Sequence, residues 1–247
     1  MSKKNARWRK LDNAAKLYSA ASNKKDTRVF RFYCELKEEV NPKALQEALN
    51  QTIETFPTFL MVLRKGFFWH YLEPCNLQPI VKEEYKEPCS RLYIRDKKTL
   101  LFEVTYYKKR INFEVFHVLT DGTGATEFLK ELVKNYLYLV HKEEGLEQIT
   151  LLPEDMTVQD QEDDSFLKYY SKNQKRPKKR KLNAFQIRRK KKDGNHLHVH
   201  ESVVSVQAVL KRSRELGVSM TIFLTALFMM AINEEMSKMQ KKKPVVL

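Results

Sequence analysis

Ile111-Asn112-Phe113-Glu114-Val115-Phe116-His117-Val118-Leu119-Thr120-Asp121-Gly122 is the stretch whose reading decides the fold. Apolar and polar residues alternate through it until Phe116, which is the period of a half-buried strand. Ile111, Phe113, Val115 and His117 therefore share one face. Beyond Asp121-Gly122 the spacing becomes helical, with Phe128, Leu129, Leu132, Val133, Tyr136 and Leu137 as the stripe. A histidine thus leaves the apolar face of a sheet where the chain turns into a helix. Imidazole is the side chain best suited to take and return a proton near neutral pH. A histidine on such a face is as a rule a satisfied core residue, and Asp-Gly is an ordinary turn and helix start. The residues alone give a candidate base.

Reading outward, residues 28–36 alternate with Phe30, Phe32, Cys34 and Leu36 on one face, a strand. Asn41 and Pro42 make an N-cap and first-turn proline, and Ala44, Leu45, Ala48, Leu49 and Ile53 form a stripe that ends at Pro57. Residues 59–64 and 67–72 read as strands joined at Lys65-Gly66. Residues 100–107 and 111–117 read as a hairpin that turns at Lys108-Lys109-Arg110, and a helix over 124–141 closes the unit. This order predicts an α/β (α+β) fold, a two-layer sandwich of helices on a mixed, mostly antiparallel sheet.

His-x-x-x-Asp-Gly between a strand and a helix resembles the active-site motif of the chloramphenicol-acetyltransferase-like acyltransferases. That superfamily includes condensation domains and microbial alcohol acetyltransferases. Leu11-Asp12-Asn13-Ala14-Ala15-Lys16-Leu17-Tyr18 resembles its opening segment. The stretch from Asn41 to Leu49, followed by Thr55-Phe56-Pro57-Thr58-Phe59, resembles its first helix and next strand entry. Gly66-Phe67-Phe68-Trp69 resembles the alcohol-acetyltransferase branch. The resemblance implies that His117 is the general base that deprotonates an acceptor for attack on an acyl thioester. It implies that Asp121 is structural, paired with an arginine, and that Gly122 permits a tight turn and close packing. Acyl-CoA, with acetyl-CoA first, is the implied cosubstrate and a small alcohol the implied acceptor; no permanently bound cofactor is expected, and no residue is assigned to coenzyme A. Condensation domains carry a second histidine before the catalytic one, but Phe116 stands there. That departure favours the small-acceptor branches.

The 247 residues carry a formal charge of +15 at 42% apolar content. Twelve lysines and arginines fall within 172–192 with no acidic residue among them, and without them the charge is +3. Glu154, Asp155, Asp160, Glu162, Asp163 and Asp164 lie just upstream. An acidic block followed by a basic one reads as a solvated crossover. The basic run also suits nucleic acid, coenzyme A phosphates or an anionic membrane. Phe185 is its one aromatic, so the stacking platforms of a single-strand binder are missing and nucleic acid is not expected. A non-catalytic domain that binds a polyanion or membrane surface through this run is the competing reading. Cys34, Cys75 and Cys89 are odd in number and lack metal-ligand spacing, so they read as reduced and structural. Lys3, Lys4, Arg7, Arg9 and Lys10 have no apolar run behind them, unlike a signal peptide. A cytoplasmic location is expected.

Three parts are expected: 1–151 with the motif, a crossover over 152–195, and the start of a second half over 196–247. His196, His198 and His200 share a strand face, but nothing nearby supplies a fourth ligand, so no metal site is expected. Residues 205–216 read as a helix ended by Gly217, and Ser219 caps another to about residue 236. Within it, 221–231 is the most apolar stretch, too short to span a bilayer, and reads as a buried helix. Residues 243–247 read as a strand. By resemblance the sequence stops early in the second half, so part of the tunnel around His117 is missing. Self-association through the incomplete interface is expected.

Overall fold

A computed structural model describes residues 8–23, 26–67, 69–95, 97–142, 183–187 and 199–246. The chain divides into two units, Met1–Tyr170 and Ser171–Leu247. The crossover expected over 152–195 lies outside the described residues except for 183–187, as do His196 and His198.

The first unit contains β1 (Arg9–Lys10), α1 (Asn13–Ala21), β2 (Val29–Glu35), α2 (Pro42–Thr55), β3 (Met61–Lys65) and β4 (His70–Pro74). After these come β5 (Lys82–Glu83), β6 (Phe102–Tyr107), β7 (Arg110–Phe116) and α3 (Gly122–Val140). Two sheets result, one in the order β1-β4-β3 and one in the order β2-β7-β6-β5. Every pairing is antiparallel except β5 with β6. The architecture is the expected α/β arrangement of helices packed on a mixed, mostly antiparallel sheet. Strands β1 and β5, two residues each, carry too little periodicity to be read from sequence.

Helix α2 starts where Asn41 accepts from the amides of Lys43 and Ala44, with Pro42 in its first turn. Its apolar stripe puts Leu45, Ala48 and Leu49 in full burial. Helix α3 packs on both α2 and β2. Its Phe128 stacks on Phe113 of β7 (centroids 4.7 Å, 16°) and on Phe59 (4.3 Å, 29°). Polar groups link the two helices: Asn135 donates to Thr52 Oγ1 at 3.1 Å, and the amide of Asn41 donates to the Tyr136 hydroxyl at 2.9 Å.

Strand β7 departs from the half-buried reading. All six residues from Ile111 to Phe116 are buried, Asn112 and Glu114 included. On its second face Tyr93 stacks parallel to Phe116, and the Cys89 amide donates to Glu114 Oε1 at 2.6 Å. Glu114 also receives the Arg31 guanidinium, at 2.9 Å from Nε and 2.8 Å from Nη2. Arg31 reaches Glu84 at 2.5 Å through Nη1, and Arg110 meets the other Glu84 oxygen at 3.3 Å. Burial alone would lower the Arg31 value, but the bonds and charges of Glu84 and Glu114 outweigh it and hold the guanidinium above the usual arginine value. The polar residues of the alternation mark a covered ion network, a case that period-2 patterning does not separate from a solvated face.

In the second unit, α4 (Val206–Glu215) starts at the Ser205 cap. It ends at Gly217, whose φ of +66° suits a residue without a Cβ. The amide of Val218 closes that end on the Ser213 carbonyl at 3.0 Å. Ser219 caps α5 (Met220–Glu234), accepting from the Ile222 amide. The buried reading of 221–231 is wrong in this structure: Ile222, Leu224, Leu227, Phe228, Met229 and Met230 are all exposed, and Ile232 alone on this helix is buried. An all-round apolar helix needs enclosure on every side, and α4 packs against it. Residues 243–246 are not a strand either. Among the described residues the Phe185 amide donates to the Pro244 carbonyl and the Lys243 amide to the Gln240 carbonyl, which make no ladder.

Glu114→Ala leaves Arg31 buried with one partner fewer, so unfolding free energy is expected to fall by about 3–5 kcal/mol. Urea denaturation checks this; a loss under about 1 kcal/mol would reduce the network to the worth of a surface pair.

Candidate functional site

The last residues of β7 deliver the loop that carries the motif. Phe116 donates to the Leu101 carbonyl at 2.7 Å and His117 to the Arg28 carbonyl at 2.9 Å, so the ladder runs one residue past the strand. Arg28 takes φ +55° to present that carbonyl. Val118 and Leu119 are buried, and the Leu119 amide bonds back to Phe116 at 2.8 Å, which closes a turn. Arg9 donates to the Leu119 carbonyl at 3.5 Å, tying β1 to this loop.

The His117 ring is half-buried on the wall of a cavity of about 500 Å³. It stacks on Tyr18 of α1 with centroids 4.0 Å apart and planes 15° from parallel. Phe30 of β2 lies 4.8 Å away at a 56° tilt. Aromatic faces fix the plane of the imidazole without consuming its nitrogens. Among the described residues none hydrogen-bonds either ring nitrogen, so both remain for a ligand or water. Leu11, Phe56, Phe59 and Leu72 supply an apolar part of the cavity wall; Arg9, Lys10, Asp12, Asp121 and Glu127 supply charge of both signs.

Asp121 is exposed and accepts the Gly124 amide at 2.9 Å, the N-cap of α3. Among the described residues no arginine pairs with it; the cap bond is the role the structure gives it, where an Asp121–arginine pair was expected. Four orphan amides at a helix start are a closer claim on an acceptor than a distant cation. Gly122 also differs from expectation. A Cβ there would meet only Phe32 Cζ at 3.9 Å, an ordinary contact. The tight position is Gly124, where a Cβ would run into Thr120 Oγ1. The close approach is two residues past the motif.

Sequence reasoning missed Tyr18 as a neighbour of His117, although it lies in the segment that resembled an opening landmark. A stacking partner 99 residues away in sequence leaves no local pattern. Burial pushes the thiols of Cys34, Cys75 and Cys89 up, so none is an activated nucleophile. Cys34, Cys75 and Cys89 are all free.

No protein-family model and no curated protein matches the sequence. Among solved structures, the starter condensation domain of rhizomide synthetase RzmA superposes with TM-score 0.47 at 13% identity, over 58% of this chain and 40% of that one. A mutant of that domain in complex with C8-CoA gives 0.47 at 14%, over 58% and 38%. Polyketide synthase associated protein 5 from Mycobacterium tuberculosis gives 0.43 at 16%, over 59% and 36%. The matched part thus spans about two fifths of the length of those chains.

The cap assignment separates Asp121 from an ion-pair role. Asp121→Ala is expected to cost about 1 kcal/mol and Asp121→Asn only a few tenths, because asparagine caps as well as aspartate. Thermal melts of both variants check it; equal losses would mean that the carboxylate's charge, not its cap bond, matters.

Proposed function

We propose that this chain carries the general base of an acyltransferase, with His117 accepting the proton of an acceptor hydroxyl in the cavity. An acyl-CoA thioester, acetyl-CoA first, is the donor and a small alcohol the acceptor. One observation carries the reading: an imidazole held flat against Tyr18 on a cavity wall, both nitrogens unclaimed by the described residues. The likeness of His117, Asp121 and Gly122 to the acyltransferase motif supports the same reading.

The step balances without a redox partner. His117 takes the hydroxyl proton as the oxygen attacks the thioester carbon. The tetrahedral intermediate collapses with loss of the coenzyme A thiolate, which takes the proton back from the imidazolium. The ester leaves with the acyl group, and the imidazole returns neutral. Phe56, Phe59 and Leu72 keep water from the apolar part of the cavity, which limits hydrolysis of the thioester. Asp121 and Gly124 hold the start of α3 and thereby the loop on which His117 sits. Tyr18 acts through His117 as a positioning residue.

The test is thiol release from acetyl-CoA with a panel of short alcohols, in the full encoded protein. His117→Ala is expected to lower turnover by about 10²-fold or more. Tyr18→Phe keeps the stacked ring and is expected to keep the rate, whereas Tyr18→Ala lowers it with little change in KM. Transfer that survives His117→Ala at the wild-type rate removes the histidine from the mechanism. No acyl transfer by the wild-type protein to any of the alcohols refutes the acceptor class.

A further inference from the structure

Among the described residues, three that carry a Cβ take a positive φ: Arg28 at +55°, Cys89 at +58° and Lys108 at +51°. Lys108 lies in the turn of the β6–β7 hairpin, where that conformation is ordinary. The other two flank Thr27, Arg28 as its neighbour in sequence and Cys89 as its hydrogen-bond partner. Residues with a Cβ keep this conformation only where their surroundings fix it.

Thr27 supplies the fixing. Its hydroxyl donates to the Cys89 carbonyl at 2.7 Å and accepts the Val29 amide at 3.3 Å. Its carbonyl accepts the Ser22 hydroxyl at 3.1 Å, and the Ser22 amide donates to the Tyr18 carbonyl at 3.0 Å. The bonds therefore run from the end of α1, which carries Tyr18, to the start of β2 and to the segment that covers β7. From Cys89 they continue to the strand of the histidine. The Cys89 amide donates to Glu114 Oε1 at 2.6 Å, and Glu114 lies three residues before His117. The His117 amide then returns to the Arg28 carbonyl at 2.9 Å, next to Thr27, and the circuit is closed.

Both grips on His117 pass through this circuit. Tyr18 gives the imidazole its stacked face, and the Arg28 carbonyl sets where the histidine leaves the sheet. Relaxing Arg28 to the extended region would turn the chain before it against the strand after it. The bonds at Thr27 and the bond to His117 would then not both persist. We propose that Thr27 is a positioning residue for His117, its hydroxyl locking the α1–β2 loop so that the Tyr18 ring and the Arg28 carbonyl hold one fixed relation. Thr27 is not part of the cavity wall, so it acts through His117 and not on a substrate. The catalytic consequence rests on the reading of His117 as the base: a base displaced by a fraction of an ångström keeps its substrate and loses rate.

The test is made on the full chain with 13C-labelled histidine, the His117 ring signals being assigned by their loss in His117→Gln. Stacked on Tyr18, these protons resonate upfield of an exposed histidine and show a nuclear Overhauser effect to the Tyr18 ring. Thr27→Val removes the hydroxyl at nearly constant shape. It is expected to move the signals towards the exposed position and to weaken the Overhauser effect, whereas Thr27→Ser keeps both as in the wild type. With acetyl-CoA and an alcohol, the valine variant is expected to lose about tenfold in kcat with KM changed by less than about twofold, and the serine variant to keep the rate. Ser22→Ala removes only the bond to the Thr27 carbonyl and is expected to move the signals the same way, less far. It carries the test if the valine variant does not fold. Ring signals unmoved in whichever of these two variants folds overturn the proposal, whatever the activity. Moved signals with an unchanged kcat overturn the catalytic consequence. Moved signals in a protein that transfers no acyl group keep the role of Thr27 and remove the acyltransferase reading.

Discussion

Strand β7 is buried on both faces, and the first unit is built around making that tolerable. Its helix-side face, Ile111, Phe113 and Val115, needs only apolar neighbours. Phe128, Phe102 and Phe59 supply them, Phe128 by stacking on Phe113. Its other face carries Glu114, a carboxylate with 3% of its side chain exposed. An isolated charge there would be prohibitive. Arg31 sits directly across the strand pair from Glu114, and the cross-strand register is what brings the two together. A one-residue slip would put Arg31 on the apolar face, against Phe113 and Val115. The ion network and the apolar face therefore both fix the register of β2 on β7.

That register places the candidate site. Phe30, paired with Val115, stands on the same face as His117 and reaches the imidazole. The amide of His117 extends the ladder onto Arg28, so the ring leaves the sheet at a fixed height. Helix α1 then brings Tyr18 over the ring from a segment nearly a hundred residues earlier. The orientation of His117 thus rests on three elements, β2, β7 and α1, none of which bonds its nitrogens. An imidazole held by its faces keeps both ring nitrogens clear of the described residues.

Much of this was legible. The stripe of α2 and its Asn41-Pro42 start, the hairpin of β6 and β7, and the helix after Asp121 follow from local periodicity and capping, which sequence carries directly. Asn112 and Glu114 were misread because alternation reports which residues face away from the apolar core, not whether that second side meets water. Segment 84–101 covers it, and a loop with little periodicity announces no such role. Helix α5 was misread for the complementary reason. Uniform apolarity states that a helix wants enclosure and leaves open what encloses it. The Tyr18 stack and the Gly124 contact are tertiary facts between residues whose local patterns are unremarkable.

The motif divides its labour in a way that its spacing explains. From His117 to Asp121 is four residues, enough for one turn with Val118 and Leu119 buried as anchors. Asp121 closes the amides of α3, and the helix then sets Phe128 into the core, seven residues on, against Phe113. The cap and the histidine are therefore coupled through packing, although the two side chains do different work. Within the motif, Asp121 serves the helix start, and the close approach falls at Gly124, not at Gly122.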